Sequence, residues 1–323
     1  MMFSSVLSIF PRVRIASSRQ FGTLALNPSL TGLRGLAVLW VVAYHRNQVL
    51  HGSHYFPLIS AGYLGVPIFL MLSISLLLSS LDRKPSFSRY MQRRIFRIWP
   101  LYFISLGLVF IFFTPNHSIG LLLQNALFVG VWVHGVGTGY NYVFWTLQVE
   151  ELAYLAYPLV HRMSLSSKRM LACGLILASV SGVWLSTTNY LFLPMTFASF
   201  GLGILIYTGD VKRYGSWLLY ILCGLSLFFP DTGLGWCAAV LVLPGFAWMI
   251  ANPPAFTKWW WLVAIGEMSY SIYLIHELLW VRMGWAAIPM IIVAALVMEG
   301  RRLSRSLTWR GFIRKTAVVE VVE

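Results

Sequence analysis

Long apolar runs in this chain carry almost no charge, so the few ionisable residues inside or at the ends of those runs mark where chemistry could occur: Arg34, His45, Arg46, Glu150, Glu151, Glu267, His276, Glu277, Arg282 and Glu299. In hydrocarbon such a group costs at least about 2.5–3.5 kcal/mol on insertion scales, so each needs a partner, a wet cavity or a function. Arg34 and His45 are eleven positions apart, which on a helix places them within about 20° of one face and about 16 Å apart along the axis. A cation at one mouth could hold an anionic ligand while an imidazole works deeper along the same channel. Snorkelling of both side chains from opposite ends of one span fits the spacing equally well.

Glu150, Tyr154 and Tyr157 fall at i, i+4 and i+7 and share a helix face. A buried carboxylate there could orient an imidazole and raise its basicity, as a general base requires. It could also bridge helices without chemistry. Glu151 points about 100° away from that face. Arg89, Arg93 and Arg97, with Arg94 adjacent, form a cationic stripe before Trp99-Pro100, suited either to lipid phosphates or to the phosphates of a cytosolic cofactor. Glu267, Tyr270, Tyr273 and His276 add polarity to a late apolar run, in which His276 alone would serve as an interhelical hydrogen bonder. Gly135-Val136-Gly137-Thr138-Gly139 lacks the Lys-Ser/Thr ending of a phosphate-binding loop and is expected to be a flexible connector.

The elements that position these residues follow from composition. The chain has 323 residues, 58% of them hydrophobic and 11% charged, with a mean hydropathy of +0.74, far from soluble averages. A bilayer is the expected solvent and the fold class is all-α, a polytopic helical bundle. The formal charge of +14 lies mostly between apolar runs and in the tail from Arg301 to Lys315, as in cytoplasmic loops, and no basic soluble domain exists to bind nucleic acid. Cys173, Cys223 and Cys237 lack zinc or redox spacing and are expected to be packing residues. No metal site and no tightly bound cofactor is expected.

Candidate spans lie near 32–50, 58–81, 98–114, 119–133, 143–161, 171–187, 190–209, 215–230, 232–251, 259–280 and 284–299. The basic connectors at 83–97 and 162–169 should both be cytoplasmic, so an even number of crossings separates them. Three candidates lie between, and 119–133 is the short one, of buried or re-entrant length. About ten spans then remain, with both termini cytoplasmic. Residues 1–29 are expected to be a basic leader, 30–300 a single membrane domain, and 301–323 a basic tail.

In order along the chain, Leu30-Thr31-Gly32-Leu33-Arg34-Gly35-Leu36-Ala37 through His45, Gly65-Val66-Pro67-Ile68-Phe69-Leu70-Met71-Leu72-Ser73, Arg93-Arg94-Ile95-Phe96-Arg97-Ile98-Trp99-Pro100, Trp145-Thr146-Leu147-Gln148-Val149-Glu150-Glu151, Ile265 through His276, and Met298-Glu299 resemble the motifs of the membrane-bound acyltransferase 3 family. That family O-acylates sugars and other hydroxylated acceptors. The likeness departs at Thr31 and Pro67, where acidic residues are usual, and at Ile74, Ala153 and Gly300. It implies an acyl-CoA donor, with acetyl-CoA expected, and a sugar or glycan acceptor at a bacterial inner membrane. Under it, Arg34, Arg93, Arg94 and Arg97 would hold the donor, His45 and Glu150 would be catalytic, and Trp145, Tyr154, Tyr270 and His276 would line the substrate path. A glycan or lipid transporter, or a non-catalytic partner in envelope glycan assembly, remains the alternative, although no repeat symmetry of the transporter kind is visible.

Overall fold

The structure, a computed structural model, describes residues 27–51, 57–83, 86–113, 118–134, 143–185, 192–211, 233–283 and 290–296. The expected span at 215–230, most of 284–299, the connector at 135–139, the basic leader up to residue 26, the basic tail and Glu299 lie outside the described residues. Every regular element among the described residues is helical, as hydrocarbon solvent demands of a chain that must satisfy its own backbone.

Helix α1 is Pro28–His51, and α2 is Gly65–Arg83, entered through a short turn of helix and a 3-10 turn at Ala61–Leu64. Next come α3 (Phe87–Phe113), the short α4 (Ile119–Ala126) and α5 (Gly130–His134), then α6 (Phe144–Arg162) and α7 (Leu165–Leu185). The chain continues through α8 (Phe192–Thr208), α9 (Gly233–Ala251), α10 (Trp260–Glu267) and α11 (Ser269–Met283). Two helical runs, 58–82 with mean hydropathy 2.2 and 87–111 with 1.6, are long and apolar enough to cross a membrane. The candidate 259–280 is not one uninterrupted helix: it breaks at Met268 into α10 and α11, two residues after Gly266, a residue type that weakens a helix interior.

The interior is apolar, and so are the outward faces of several helices. The outer face of α6 presents Leu152, Leu155 and Leu159, α3 presents Phe96 at 78% exposure together with Ile104 and Ile111, and α7 presents Leu177. From the same helices Ser105, Gln148, Ser179, Tyr90, Tyr102, Tyr154 and Tyr157 turn inward. Water would penalise so much contiguous apolar surface, whereas lipid tails do not. The protein is therefore membrane-embedded.

Close helix approach in lipid requires small residues, because no hydrophobic force drives the helices together there. Where α1 crosses α10 and the 3-10 turn Ala255–Lys258 before it, a Cβ on Gly32 would stand 1.7 Å from the Thr257 carbonyl oxygen, one on Gly35 2.2 Å from that of Leu262, and one on Gly266 1.8 Å from that of Thr31. The two backbones touch, and neither helix can accept a side chain at these points. Arg34 and Glu267, which flank the crossing, are thereby brought together on one cavity wall.

The segment 119–133 folds as the two short helices α4 and α5, joined through Phe128, whose φ of 61° is left-handed. Eight residues of α4 reach only about 12 Å and cannot cross. Gln148 of α6 anchors the pair from inside: its amide donates to Asn125 Oδ1 at 2.9 Å and its carbonyl accepts from the Val131 N–H at 2.6 Å. Tyr102 of α3 donates to the Asn125 carbonyl at 2.8 Å and lays its ring over Phe128.

At the opposite end of the bundle the Asp82 carboxylate binds the His161 imidazole at 2.8 Å and accepts from the Tyr207 hydroxyl at 2.9 Å, while Arg169 forks onto Asp210 at 2.8 and 2.6 Å. Lys168 sits over the Tyr207 ring; burial lowers it below the ordinary lysine value, partly offset by Asp82. The ends of α2, α6, α7 and α8 therefore share one side of the molecule.

Candidate functional site

Helices α1, α2, α3, α6, α10 and α11 enclose a cavity of about 290 Å³. Arg34 from α1 and Arg94 and Arg97 from α3 supply three guanidinium groups, against the carboxyl groups of Glu150 and Glu267. On α3 it is the row Arg94–Arg97, one turn apart, that lines the cavity; Arg89 and Arg93 are exposed and do not. A cluster of guanidiniums in a recess of this kind matches the phosphate oxygens of a ligand better than single lysines would, because each planar fork can bond two oxygens.

The same cavity is lined by the apolar side chains of Phe69, Leu70 and Leu147 and by the hydroxyls of Ser73, Thr146, Tyr154 and Tyr273. Ser73 of α2 donates to Glu150 of α6, and the buried Tyr154, one turn along α6, lies against both. Glu151 faces away from the cavity toward the Trp99 indole and within electrostatic reach of Arg94. Thr146 Oγ1 and Tyr273 Oη are 2.9 Å apart and Thr146 also donates to the Val143 carbonyl, so the Tyr273 hydroxyl donates to Thr146. Tyr270 lines the cavity with its ring, while its hydroxyl donates to the Ile98 carbonyl at 2.8 Å, two residues before Pro100 in α3. That bond ties α11 to α3 at the point where proline interrupts the helix ladder.

His45 and His276 do not line this cavity. They meet beside it: His45 Nδ1 lies 2.8 Å from His276 Nε2, and the His276 ring stands 5.8 Å from that of Tyr273, which does line the cavity. His276 is fully buried, whereas His45, in the last two turns of α1, is partly exposed. Thus Glu150 takes its hydrogen bond from Ser73, and the partner of His45 is the second histidine. Trp145 packs on Phe192, with ring centres 5.1 Å apart, outside the cavity wall. Among the described residues no three His, Cys, Asp or Glu side chains gather as metal ligands.

Ser73, Thr146 and Tyr273 add three hydroxyls to the cavity lining, and sequence alone does not single out the serine and the threonine. Serines in apolar helices usually satisfy themselves on the preceding turn. Ser75 does so on Leu72, Ser79 on Ser75 and Ser199 on Met195. Only a known neighbour at Glu150 separates Ser73 from these.

A family model described as an acyltransferase domain matches residues 27–298. The chain is 33% identical over 301 residues to a protein of Acidianus two-tailed virus named for acetyltransferase activity, covering 84% of this chain and 89% of that protein. It is 30% identical over 152 residues to the acyltransferase MdmB of Streptomyces mycarofaciens, 42% of this chain and 39% of the relative. It is 28% identical over 195 residues to the peptidoglycan O-acetyltransferase OatA of Listeria monocytogenes, 52% of this chain and 30% of the relative. No solved structure matches it significantly.

Proposed function

Because the chain belongs to the acyltransferase family whose domain model spans residues 27–298, and is by that membership a membrane O-acyltransferase, we propose that it takes an acetyl group from a cytosolic acyl-CoA and delivers it to a hydroxyl of a sugar-containing acceptor at the inner membrane. The observation that carries the proposal is the cavity that Arg34, Arg94 and Arg97 line together with Ser73, Thr146, Glu150 and Tyr273. The guanidiniums suit the phosphates of the coenzyme, leaving its thioester to extend along the apolar wall toward the hydroxyl cluster. Donor entry from the cytosol requires the N-terminal end of α1 and the Asp82 cluster to face inward, with the C-terminal end of α1 outward.

An unactivated hydroxyl attacks a thioester poorly at neutral pH, so a base is needed. His45 is the group for that task, since it is partly exposed near the outward end of α1 and adjoins the cavity through His276 and Tyr273. Glu150, held by Ser73, would polarise the acyl end of the path. One relative is named as a peptidoglycan O-acetyltransferase, and the acceptor is proposed here only as a glycan or glycosylated molecule.

The test is mass spectrometry of envelope and secreted glycans from cells lacking the protein, complemented with native protein or His45→Ala at equal level. An acetyl-sized mass restored by the native form alone is the expected result. Restoration by both forms would remove His45 as the base. An altered amount or location of a glycan without any acyl mass change would favour a transport or assembly role instead.

A further inference from the structure

The bond between the two imidazoles fixes more than their separation. Nδ1 of His276 lies 2.8 Å from the Tyr273 carbonyl oxygen and 3.2 Å from that of Ile272. A carbonyl oxygen can only accept, so this nitrogen carries a proton and donates. No carboxylate reaches His276 by a hydrogen bond among the described residues, and the ring is fully buried, conditions under which imidazole stays neutral. Its Nε2 is then a lone pair and accepts from Nδ1–H of His45, 2.8 Å away. The ring centres are 5.0 Å apart and the planes inclined by only 24°, so the rings meet edge to edge and the donor and lone pair, both in plane, can align. One polarity is thereby imposed on the whole series, from His45 through His276 to the Tyr273 carbonyl. It leaves Nε2 of His45 deprotonated, and among the described residues nothing occupies that nitrogen.

We propose that His276 is a positioning residue: it touches no substrate, and it locks His45 in the tautomer whose Nε2 is the base. The role rests on acyl transfer with His45 as the base. In the step, the acceptor O–H bond breaks and its proton moves to Nε2 of His45, while the oxygen bonds to the thioester carbonyl carbon. As the C–S bond breaks the departing thiolate takes that proton, so ester and thiol form and His45 returns to neutral. During the interval the imidazolium donates through Nδ1 to His276, and that bond becomes charge-assisted and shorter. His276 thus supplies, without a charge of its own, what a carboxylate supplies in other histidine-centred sites.

The test joins spectroscopy and kinetics. In full-length protein labelled with 15N-histidine, with His45→Gln used to assign the resonances, His45 should show a protonated Nδ1 and a bare Nε2. A protonated Nε2 in the native protein would overturn the proposal, whatever the activity. His276→Leu, checked for native folding by its thermal transition, should lower kcat by about 10- to 100-fold, the range for losing a group that orients a catalytic imidazole, with donor KM unchanged. His276→Gln, whose Oε1 can accept in place of Nε2, should recover most of the loss. Equal turnover in the native and His276→Leu proteins, or equal impairment of the Leu and Gln forms, would also overturn it. If instead His45→Ala keeps acyl transfer, it is the choice of base that fails, while the tautomer spectrum is decided separately.

Discussion

Replacing Gly266 by alanine would put a methyl carbon 1.8 Å from the Thr31 carbonyl oxygen and 2.7 Å from its carbonyl carbon. Close C–H···O contacts settle at about 3.3–3.6 Å, so α1 and α10 would have to part by roughly 1.5 Å. Overpacking costs about 1–3 kcal/mol where side chains can give way. Here the obstacle is main chain, and parting the helices also loosens Gly32 from Thr257 and Gly35 from Leu262, so a cost of about 3 kcal/mol or more is expected. At roughly 2–4 °C per kcal/mol for domains somewhat smaller than this one, the apparent Tm should fall by about 6–12 °C. The control is Gly174→Ala in α7, where nothing lies within 4 Å of the new methyl; alanine is favoured over glycine in a helix by about 0.5–1 kcal/mol, so no fall is expected. Both variants would be scanned by tryptophan fluorescence in one detergent. A Gly266→Ala transition within about 2 °C of native, or equal to that of Gly174→Ala, would refute backbone contact between these helices.

Two further outcomes follow from the same geometry. Gln148→Leu removes the two bonds by which α6 anchors α4 and α5, leaving the Val131 N–H and Asn125 Oδ1 without them; about 1–3 kcal/mol should be lost, read as faster amide hydrogen exchange confined to 118–134, and unchanged exchange would dismiss the anchor. Glu150→Gln keeps an acceptor for Ser73 and removes only the charge, so kcat should fall by roughly tenfold or more with donor KM nearly constant, whereas normal turnover would take Glu150 out of the mechanism.

Helical class and bilayer solvent were readable from composition, since so little charge in so long a chain leaves few other ways to satisfy the backbone. Length alone separated 119–133 from crossing segments, and it folds as two short helices. Helical spacing put Glu150, Tyr154 and Tyr157 on one face, and all three turn inward. Spacing could not say which row of α3 faces the cavity: Arg89, Arg93 and Arg97 form as regular a stripe as any, yet Arg94 lines the wall and Arg93 does not. Such a choice depends on helix rotation, which neighbouring helices set. The glycines at 32 and 35 were visible as letters, but their purpose needed the third, Gly266, from 231 positions beyond Gly35. The pairing of His45 with His276 is similarly remote, and a histidine in an apolar run carries no mark of its partner.

That remoteness also has a place in time. His45 and His276 are separated by 231 residues, and chains are synthesised at about 5–20 residues per second. His45 therefore reaches the membrane roughly 10–50 s before the residue that aligns it has been translated. A product truncated after Tyr154 but before His276 already holds Arg34 and most of the residues that line the cavity, yet its imidazole is free to sample both tautomers. In the proposed mechanism the catalytic apparatus is thus complete only once α11 has been made, and a nascent chain that ends before it lacks the partner that orients its base.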